Sequence, residues 1–500
     1  MISIQLFRNF RRILIFILSL FPTVVSCQVH SLIWPLCDYL GNPPNMKMNM
    51  NFSSGNLVID TVYRPSGFVL TNSAISDSTG QLLFYTNGCF IANALNDTMP
   101  DGDGMSTTPC GDQNCGYGTN IVLQSTLAIP DPGNLSQYYI FHETCEHSTQ
   151  LHPWNLLYSK VDLSLQGGLG AVTHKNTDIL SQVLDGGILT GTRHGNGRDW
   201  WVMVHGHNTD EYIRFLVTPE GVQGPFRQNI GPIIWNDARG NSKFSPDGTL
   251  FATSTFQADV RLFNFDRCTG LLSNMRYYDT HDSIFIACLE FSASSRFLYL
   301  SAQPALMQFD LLNSPSTLVP TIIDRVDGFL APDTCYFFVP QLAPDNKIYI
   351  SSWSGSYAMH TIGSPDSAGQ ACQFVQHSIL LPCINSGTVP NLINYKLGAL
   401  PGSSCDSLTT DITEVIKNKT GFTISPNPIS NQINIHKLYE LVNEKTYHIS
   451  ILNSQGQVLF EKTLFQNESS IPANFLKAGV YVLQIKTSKG VFSERFVKLD

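Results

Sequence analysis

The feature that most constrains this chain is a unit that returns three times in its second half. Lys243-Phe244-Ser245-Pro246-Asp247-Gly248 leads into Leu250-Phe251-Ala252-Thr253-Ser254. Glu290-Phe291-Ser292-Ala293-Ser294-Ser295 leads into Phe297-Leu298-Tyr299-Leu300-Ser301, and Gln341-Leu342-Ala343-Pro344-Asp345-Asn346 into Lys347-Ile348-Tyr349-Ile350-Ser351. The turns recur after 47 and 51 residues. Asp, Pro, Asn and Gly supply the dihedrals of a tight turn, and the flanking runs are apolar and β-rich, so each unit opens as a hairpin. Alternating runs such as Val260-Arg261-Leu262-Phe263-Asn264-Phe265-Asp266 and Leu306-Met307-Gln308-Phe309-Asp310 follow. Period-two alternation gives each unit a sheet with two faces to cover. One such sheet cannot bury both faces alone, so the units must stack on one another.

Looser copies lie upstream, at Asp77-Ser78-Thr79-Gly80, Asp131-Pro132-Gly133-Asn134 and Gly195-Asn196-Gly197-Arg198-Asp199, each followed by an aromatic-rich strand. Six units are visible, and a repeat of about 50 residues is the size of a β-propeller blade. Residues 28–70 and 380–397 are placed to complete a further blade by sharing strands, which would close the ring and hide its sheet edges. A β-sandwich array is the competing arrangement.

This body resembles the exported bacterial propellers of the WD-repeat-like and lactonase-like superfamily. The resemblance rests on F-S-P-D-G at 244–248, on Leu262-Phe263-Asn264-Phe265-Asp266-Arg267-Cys268-Thr269-Gly270, on Leu82 to Gly88, and on His194 to His205. It covers about 70% of the chain, a span that implies a fold without an activity, because propellers host unrelated functions.

The ends of the chain differ from this body. Arg8, Arg11 and Arg12 precede the apolar run Ile13 to Val25, which is too short to span a bilayer and is broken by Pro22. Residues 1–27 read as a signal peptide, cleaved between Cys27 and Gln28; Val24-Val25-Ser26-Cys27 also fits a loose lipobox, in which Cys27 would carry lipid. No other stretch is apolar enough to span a membrane. Residues 28–420 carry a net charge of −14, which argues against a nucleic-acid partner. Eleven of the twelve cysteines lie between residues 37 and 405, which fits disulfides in an oxidising compartment with one thiol left over by parity. Cys110 and Cys115 flank one short loop and Cys372 and Cys383 bracket another, while zinc-type Cys/His spacing is absent.

A polar linker spans 401–420, and 421–500 then reads as a small β-sandwich of short, evenly spaced strands. Alternation puts Tyr481, Leu483 and Ile485 on one face, and Val482, Gln484 and Lys486 on the other. The segment resembles the type A sorting domain of the type IX secretion system. The motifs match in order: Pro426-Asn427-Pro428, the turn through Gly456, the strand from Gly479 through Tyr481, and Phe496-Val497-Lys498. The resemblance implies delivery across both membranes, the type IX machinery and its surface sortase as partners, and a protein either released or held at the surface.

The expected fold is therefore all-β, a six- to seven-bladed β-propeller over 28–400 followed by a C-terminal β-sandwich. No nucleophile elbow, H-E-x-x-H helix, phosphate loop or dinucleotide fingerprint is present. His142-Glu143-Thr144-Cys145-Glu146-His147 has its second His at i+5 and reads as a polar loop. Asp101-Gly102-Asp103-Gly104 opens like a calcium loop, but Met105 and Ser106 break the ligand pattern. No cofactor is predicted, and calcium is the ion to consider. The candidate ligand-binding patch is His194, Arg198, Trp200, Trp201, His205 and His207, where imidazoles and indoles near one hairpin could hold a ligand by stacking and hydrogen bonds. The bland alternative has one Trp filling the space between blades while His194 and Asp199 serve the turn. Two functions follow: a surface or secreted propeller that binds an extracellular glycan or protein, and a secreted hydrolase or lactonase-like enzyme with an axial metal.

Overall fold

The computed structural model describes residues 30–38, 46–106, 108, 115, 120–145, 152–235, 240–256, 259–279, 285–313, 317–353, 355–406, 422–437, 446–453, 458–465, 470–487 and 490–499. The signal-peptide reading, with Cys27 and Gln28, falls outside them, as does Gly456 of the sorting motif. The chain divides into two compact units, residues 1–405 and 406–500.

In the first unit the repeated hairpins have become seven antiparallel sheets in chain order, the blades of a propeller. Blade 1 (Ile33–Leu36, Met46–Asn51, Val58–Tyr63) and blade 2 (Ser73–Ser76, Leu82–Thr86, Ile91–Asn93) have three strands. Blades 3 to 7 have four each, and open with Thr126–Asp131, Thr190–Arg193, Gly240–Phe244, Phe285–Phe291 and Phe337–Leu342. Burial falls from the first strand to the last. Ser73–Ser76 is buried throughout, whereas Gly221–Asn229, the fourth strand of blade 4, is half-buried to exposed. The first strands therefore line the axis and the fourth strands face solvent.

The three repeated turns have one geometry. Gly248 N donates to Ser245 O at 2.8 Å, Ser295 N to Ser292 O at 2.9 Å, and Asn346 N to Ala343 O at 2.9 Å. All three donors have positive φ: +72° at Gly248, 63° at Ser295 and 63° at Asn346. Gly adopts this conformation without a steric cost, and Asn tolerates it better than most residues. The Asp247 carboxylate completes its turn by accepting from Thr249 N at 3.0 Å.

Ring closure departs from the expected shared blade. Residues 33–63 form their own sheet, and Phe374–Asn385 is the outer strand of blade 7. Blades 1 and 7 are instead joined edge to side. Cys37 and Cys383 form a disulfide across 346 residues, and Asp38 N donates to Ile384 O at 2.9 Å. Trp34 and Phe52 pack against Tyr349, with centroids 6.0 and 5.6 Å away. The crosslink and this aromatic packing join blade 1 to blade 7 without a shared strand.

The cysteine pairing also corrects the parity argument. Cys115 pairs with Cys89, Cys268 with Cys405, and Cys383 with Cys37. Cys288, Cys335 and Cys372 are all unpaired and buried, so more than one thiol is left over. The stretch expected to begin a linker at Pro401 is held in the first unit by the Cys268–Cys405 bond.

After Asn385 the chain turns into the middle of the ring. Asn391 N donates to Asn72 O at 2.8 Å, and its side-chain amide donates to Thr126 O at 2.9 Å and Leu189 O at 3.0 Å. The Tyr395 hydroxyl donates to Ala128 O at 2.8 Å, and the Asn394 amide to Pro246 O at 2.7 Å. These carbonyls belong to the axial strands, or the turns beside them, of blades 2 to 5. Val389, Leu392 and Tyr395 are buried there. The channel is thus filled by the protein's own chain.

The second unit is a pair of sheets. One contains Phe422–Ser425, Gln432–Lys437 and Ser470–Pro472; the other contains Val458–Phe465, Thr446–Asn453, Gly479–Thr487 and Gly490–Lys498. Ile433, Ile449, Ile451, Leu483, Ile485 and Phe496 fill the space between them. Tyr481, Leu483 and Ile485 are buried while Lys486 is exposed, as alternation requires. Asn427 of Pro426-Asn427-Pro428 fastens the entry to the last strand: its side-chain oxygen accepts from Val497 N at 2.9 Å and its amide donates to Arg495 O at 3.1 Å. Gly479 opens a core strand, and the Tyr481 hydroxyl donates to Lys477 O at 2.8 Å. Lys498 is buried at the end of the last strand.

Candidate functional site

The repeated hairpin places one equivalent residue per blade at the end of the axial strand: Lys243 in blade 5, Glu290 in blade 6 and Gln341 in blade 7. Ring closure brings the three together. Lys243 Nζ donates to Gln341 Oε1 at 2.6 Å and lies 3.5 Å from Glu290 Oε2. The Glu290 carboxylate also accepts from Phe291 N at 2.8 Å and Leu342 N at 3.2 Å. All three side chains are buried, and burial pushes the Glu290 carboxyl above its usual range against the pull of Lys243. A buried charge of either sign is costly without such partners.

Above this cluster lies a cavity of about 290 Å³. Its wall takes Thr190 and Thr192 from blade 4, Lys243 and Pro246 from blade 5, Ala293 from blade 6, Pro344 and Asn346 from blade 7, and Asn394 and Lys396 from the channel segment. The rim is therefore built from the strand-one to strand-two turns of successive blades. His30 also lines it, with its pKa lowered to about 4 chiefly by burial. Sequence reasoning missed this cluster, although a signal existed: each repeated motif opens on a long polar residue, Lys243, Glu290 or Gln341, directly before an apolar one.

The six residues proposed from sequence do not meet at one place. Trp200–His205 is a strand of six residues, so at roughly 3.3 Å per residue its ends lie about 17 Å apart. His194 and Arg198 sit on the hairpin before it, and His205 and His207 at its far end. At the hairpin, His194 Nδ1 accepts from Asn196 N at 3.1 Å and Nε2 contacts Cys268 O at 3.0 Å. Arg198 forks onto Asp199 at 2.6 and 3.2 Å, and Asp199 also accepts from the Asn196 amide at 2.7 Å. Residues 398–405 cover this hairpin: Leu400 N donates to Gly195 O at 2.7 Å, and a Cβ on Gly195 would fall 2.4 Å from Cys405 Sγ. Trp200 is fully buried under Arg193, whose guanidinium carbon is 3.7 Å from the ring centroid. Trp201 faces the other way, into the blade 5 interface, and donates to Arg267 O at 2.9 Å.

At the opposite end of that strand, Asp185 is fully buried between two imidazoles. His205 Nδ1 lies 2.6 Å from Oδ2 and His207 Nδ1 2.8 Å from Oδ1. His152, Asp185 and His207 each present a ligand atom, and these atoms lie within 4.8 Å of one another. Glu143 is nearby and buried with neither carboxylate oxygen hydrogen-bonded; burial and the Asp185 charge raise its pKa well above the ordinary value. His142 and Glu143 thus belong to the strand Asn134–Cys145 rather than to the polar loop expected, and Glu146 and His147 lie outside the described residues. Asp101 to Gly104 lies in the connection between blades 2 and 3, where Asp103 pairs with Lys175 at 2.9 Å.

The fold defined by these blades is that of the β-propellers. Among solved structures, a Pseudomonas aeruginosa periplasmic gluconolactonase is similar at 12% identity and TM-score 0.43, over 72% of this chain and 97% of that one. A functionally unknown protein from Desulfotomaculum acetoxidans is similar at 10% identity and TM-score 0.40, over 73% and 99%. The Cps50 (Swd1) β-propeller domain of Myceliophteria thermophila is similar at 10% and 0.37, over 65% and 94%. A comparison with curated proteins finds no match. Residues 423–499 match the family model of the secretion system C-terminal sorting domain. The chain is therefore a β-propeller exported to the cell surface or secreted, with a type IX sorting tail. Among the described residues no helix is long and apolar enough to cross a membrane.

Proposed function

We propose that the propeller is a binding module, carried out by its sorting tail, that holds part of an extracellular glycan or protein in the cavity above Lys243, Glu290 and Gln341. The observation that carries this reading is the cavity: about 290 Å³, walled by turns from blades 4 to 7 and sealed behind by the channel segment. That volume sits at the small end of ligand sites, enough for one sugar ring or one side chain. The rim offers Thr192, Asn346, Asn394 and Lys396 as hydrogen-bonding groups. The axial-metal enzyme reading is less well supported. Glu290 is the one acid among the described lining residues, and Lys243 and two backbone amides already engage it. Residues 1–27 are a removable export signal in this reading, and the surface sortase removes the tail after delivery.

The test combines routing and binding. Deleting 421–500 should leave the protein in the periplasm; normal surface delivery would overturn the routing. The purified propeller should bind a subset of an array of surface glycans and peptides. Lys243→Met and Asn394→Ala should each weaken that binding at least tenfold. Binding that both variants leave unchanged would move the site elsewhere and defeat the proposal.

A further inference from the structure

A second site stands on the other face of the propeller, between blades 3 and 4. Three loops meet there, and backbone hydrogen bonds hold them in one frame. Gln182 N donates to Trp154 O at 3.0 Å and Leu184 N to Pro153 O at 2.8 Å, which fixes the loop beside His152. Asp185 N donates to His205 O and His207 N to Val183 O, both at 3.0 Å, which fixes the loop bearing His207. The carboxylate between them is fully buried, and its ion-pair partners among the described residues are two histidines. A buried carboxylate is costly without positive charge beside it, and a metal ion supplies that charge.

We infer that His152, Asp185 and His207 bind one divalent transition metal ion, zinc being the simplest. Their ligand atoms lie within 4.8 Å of one another. Two imidazoles and a carboxylate form a borderline-soft set, suited to zinc rather than to calcium, which takes oxygen ligands. His207 is partly exposed, at 15% of its side chain, so the site opens to solvent and an ion can enter. The His152 and His207 rings are packed 3.9 Å apart. Asp185 also fixes His205, the carboxylate–histidine pairing that orients groups around metal sites. An independent observation points to the same spot. Glu143, buried beside Asp185, has two carboxylate oxygens with no hydrogen-bond partner. A carboxyl group with neither oxygen hydrogen-bonded at that depth is costly, and a cation in the space it faces would offset that cost. The site lies away from the axis, on strand-two to strand-three loops and the inter-blade loop, so it is independent of the cavity proposed above.

The experiment uses the full exported chain, stripped with a chelator, dialysed, and titrated with zinc alone and with cobalt(II) alone. Wild type should take up one equivalent, and the cobalt form should show the visible absorption of a low-symmetry site without thiolate charge transfer. His152→Ala and His207→Ala should each weaken binding at least tenfold, with circular dichroism unchanged. His152→Ala lies at a loop end and guards against a merely unfolded variant. Absence of stoichiometric uptake by folded wild type, unchanged affinity in both variants, or a cobalt–thiolate band would each overturn the inference.

Discussion

Replacing Cys37 and Cys383 together by Ala removes the bond that fastens blade 7 to blade 1. The bond spans 346 residues, against 137 for Cys268–Cys405 and 26 for Cys89–Cys115. In the chain-entropy account these loops correspond to about 6, 5 and 3.5 kcal/mol. Measured losses seldom exceed about 5 kcal/mol, so the expected cost is about 3–5 kcal/mol for the first pair. The difference between the first and third pairs, about 2 kcal/mol, is the firmer quantity because native-state terms partly cancel. Urea unfolding followed by tryptophan fluorescence measures it, since Trp34 sits at the joint and Trp200 and Trp201 lie in blade 4. Hydrogen exchange should show the loss first in Ile33–Leu36 and Ile348–Ser352, where Trp34 and Tyr349 interlock with Phe52. If the Cys89–Cys115 variant lost as much stability as the Cys37–Cys383 variant, closure by this crosslink would be the wrong description of the ring.

Two further outcomes test other parts of the fold. Asn391→Ala deletes two buried hydrogen bonds to carbonyls of blades 3 and 4, an expected loss of about 2 kcal/mol, and Tyr395→Phe deletes one, about 1 kcal/mol; equal stability of both to wild type in urea would show that the channel segment contributes nothing. His360 lies between Phe337 and Phe374, and burial lowers its pKa to about 3. Its folded-state value is below the unfolded one, so the unfolded chain takes the proton first and stability is lost as pH falls from about 6.5. That loss is about 2 kcal/mol between pH 7 and 5. His360→Phe should remove it from the measured pH dependence, and an unaltered slope would refute the assignment.

The blades were legible because their information is local. Pro246-Asp247-Gly248 and Pro344-Asp345-Asn346 set a turn within four residues, and alternation in Leu262-Phe263-Asn264-Phe265 sets the adjoining strand. The sorting tail was legible for the same reason, through Pro426-Asn427-Pro428 and the Gly479–Thr487 strand. The channel segment was not. Val389-Pro390-Asn391-Leu392 has no periodicity, and its hydrogen bonds run to residues 265 and 202 positions away. The six candidate residues are spread over two places for a geometric reason: His194 and His207 are near in sequence but separated by a full strand, whereas His152, Asp185 and His207 are farther apart in sequence and meet through inter-blade backbone pairing.

The bond between Cys268 and Cys405 sits at the last position of the propeller unit. Any tension drawn through the chain beyond it enters the molecule at Cys268, in the turn between the third and fourth strands of blade 5. Residues 386–400 lie inside the loop that this bond closes, so the covalent path of that force bypasses them. Handling of the tail, whether traction during passage or a protease cut downstream of 405, is in this way mechanically uncoupled from the wedge that keeps the channel filled.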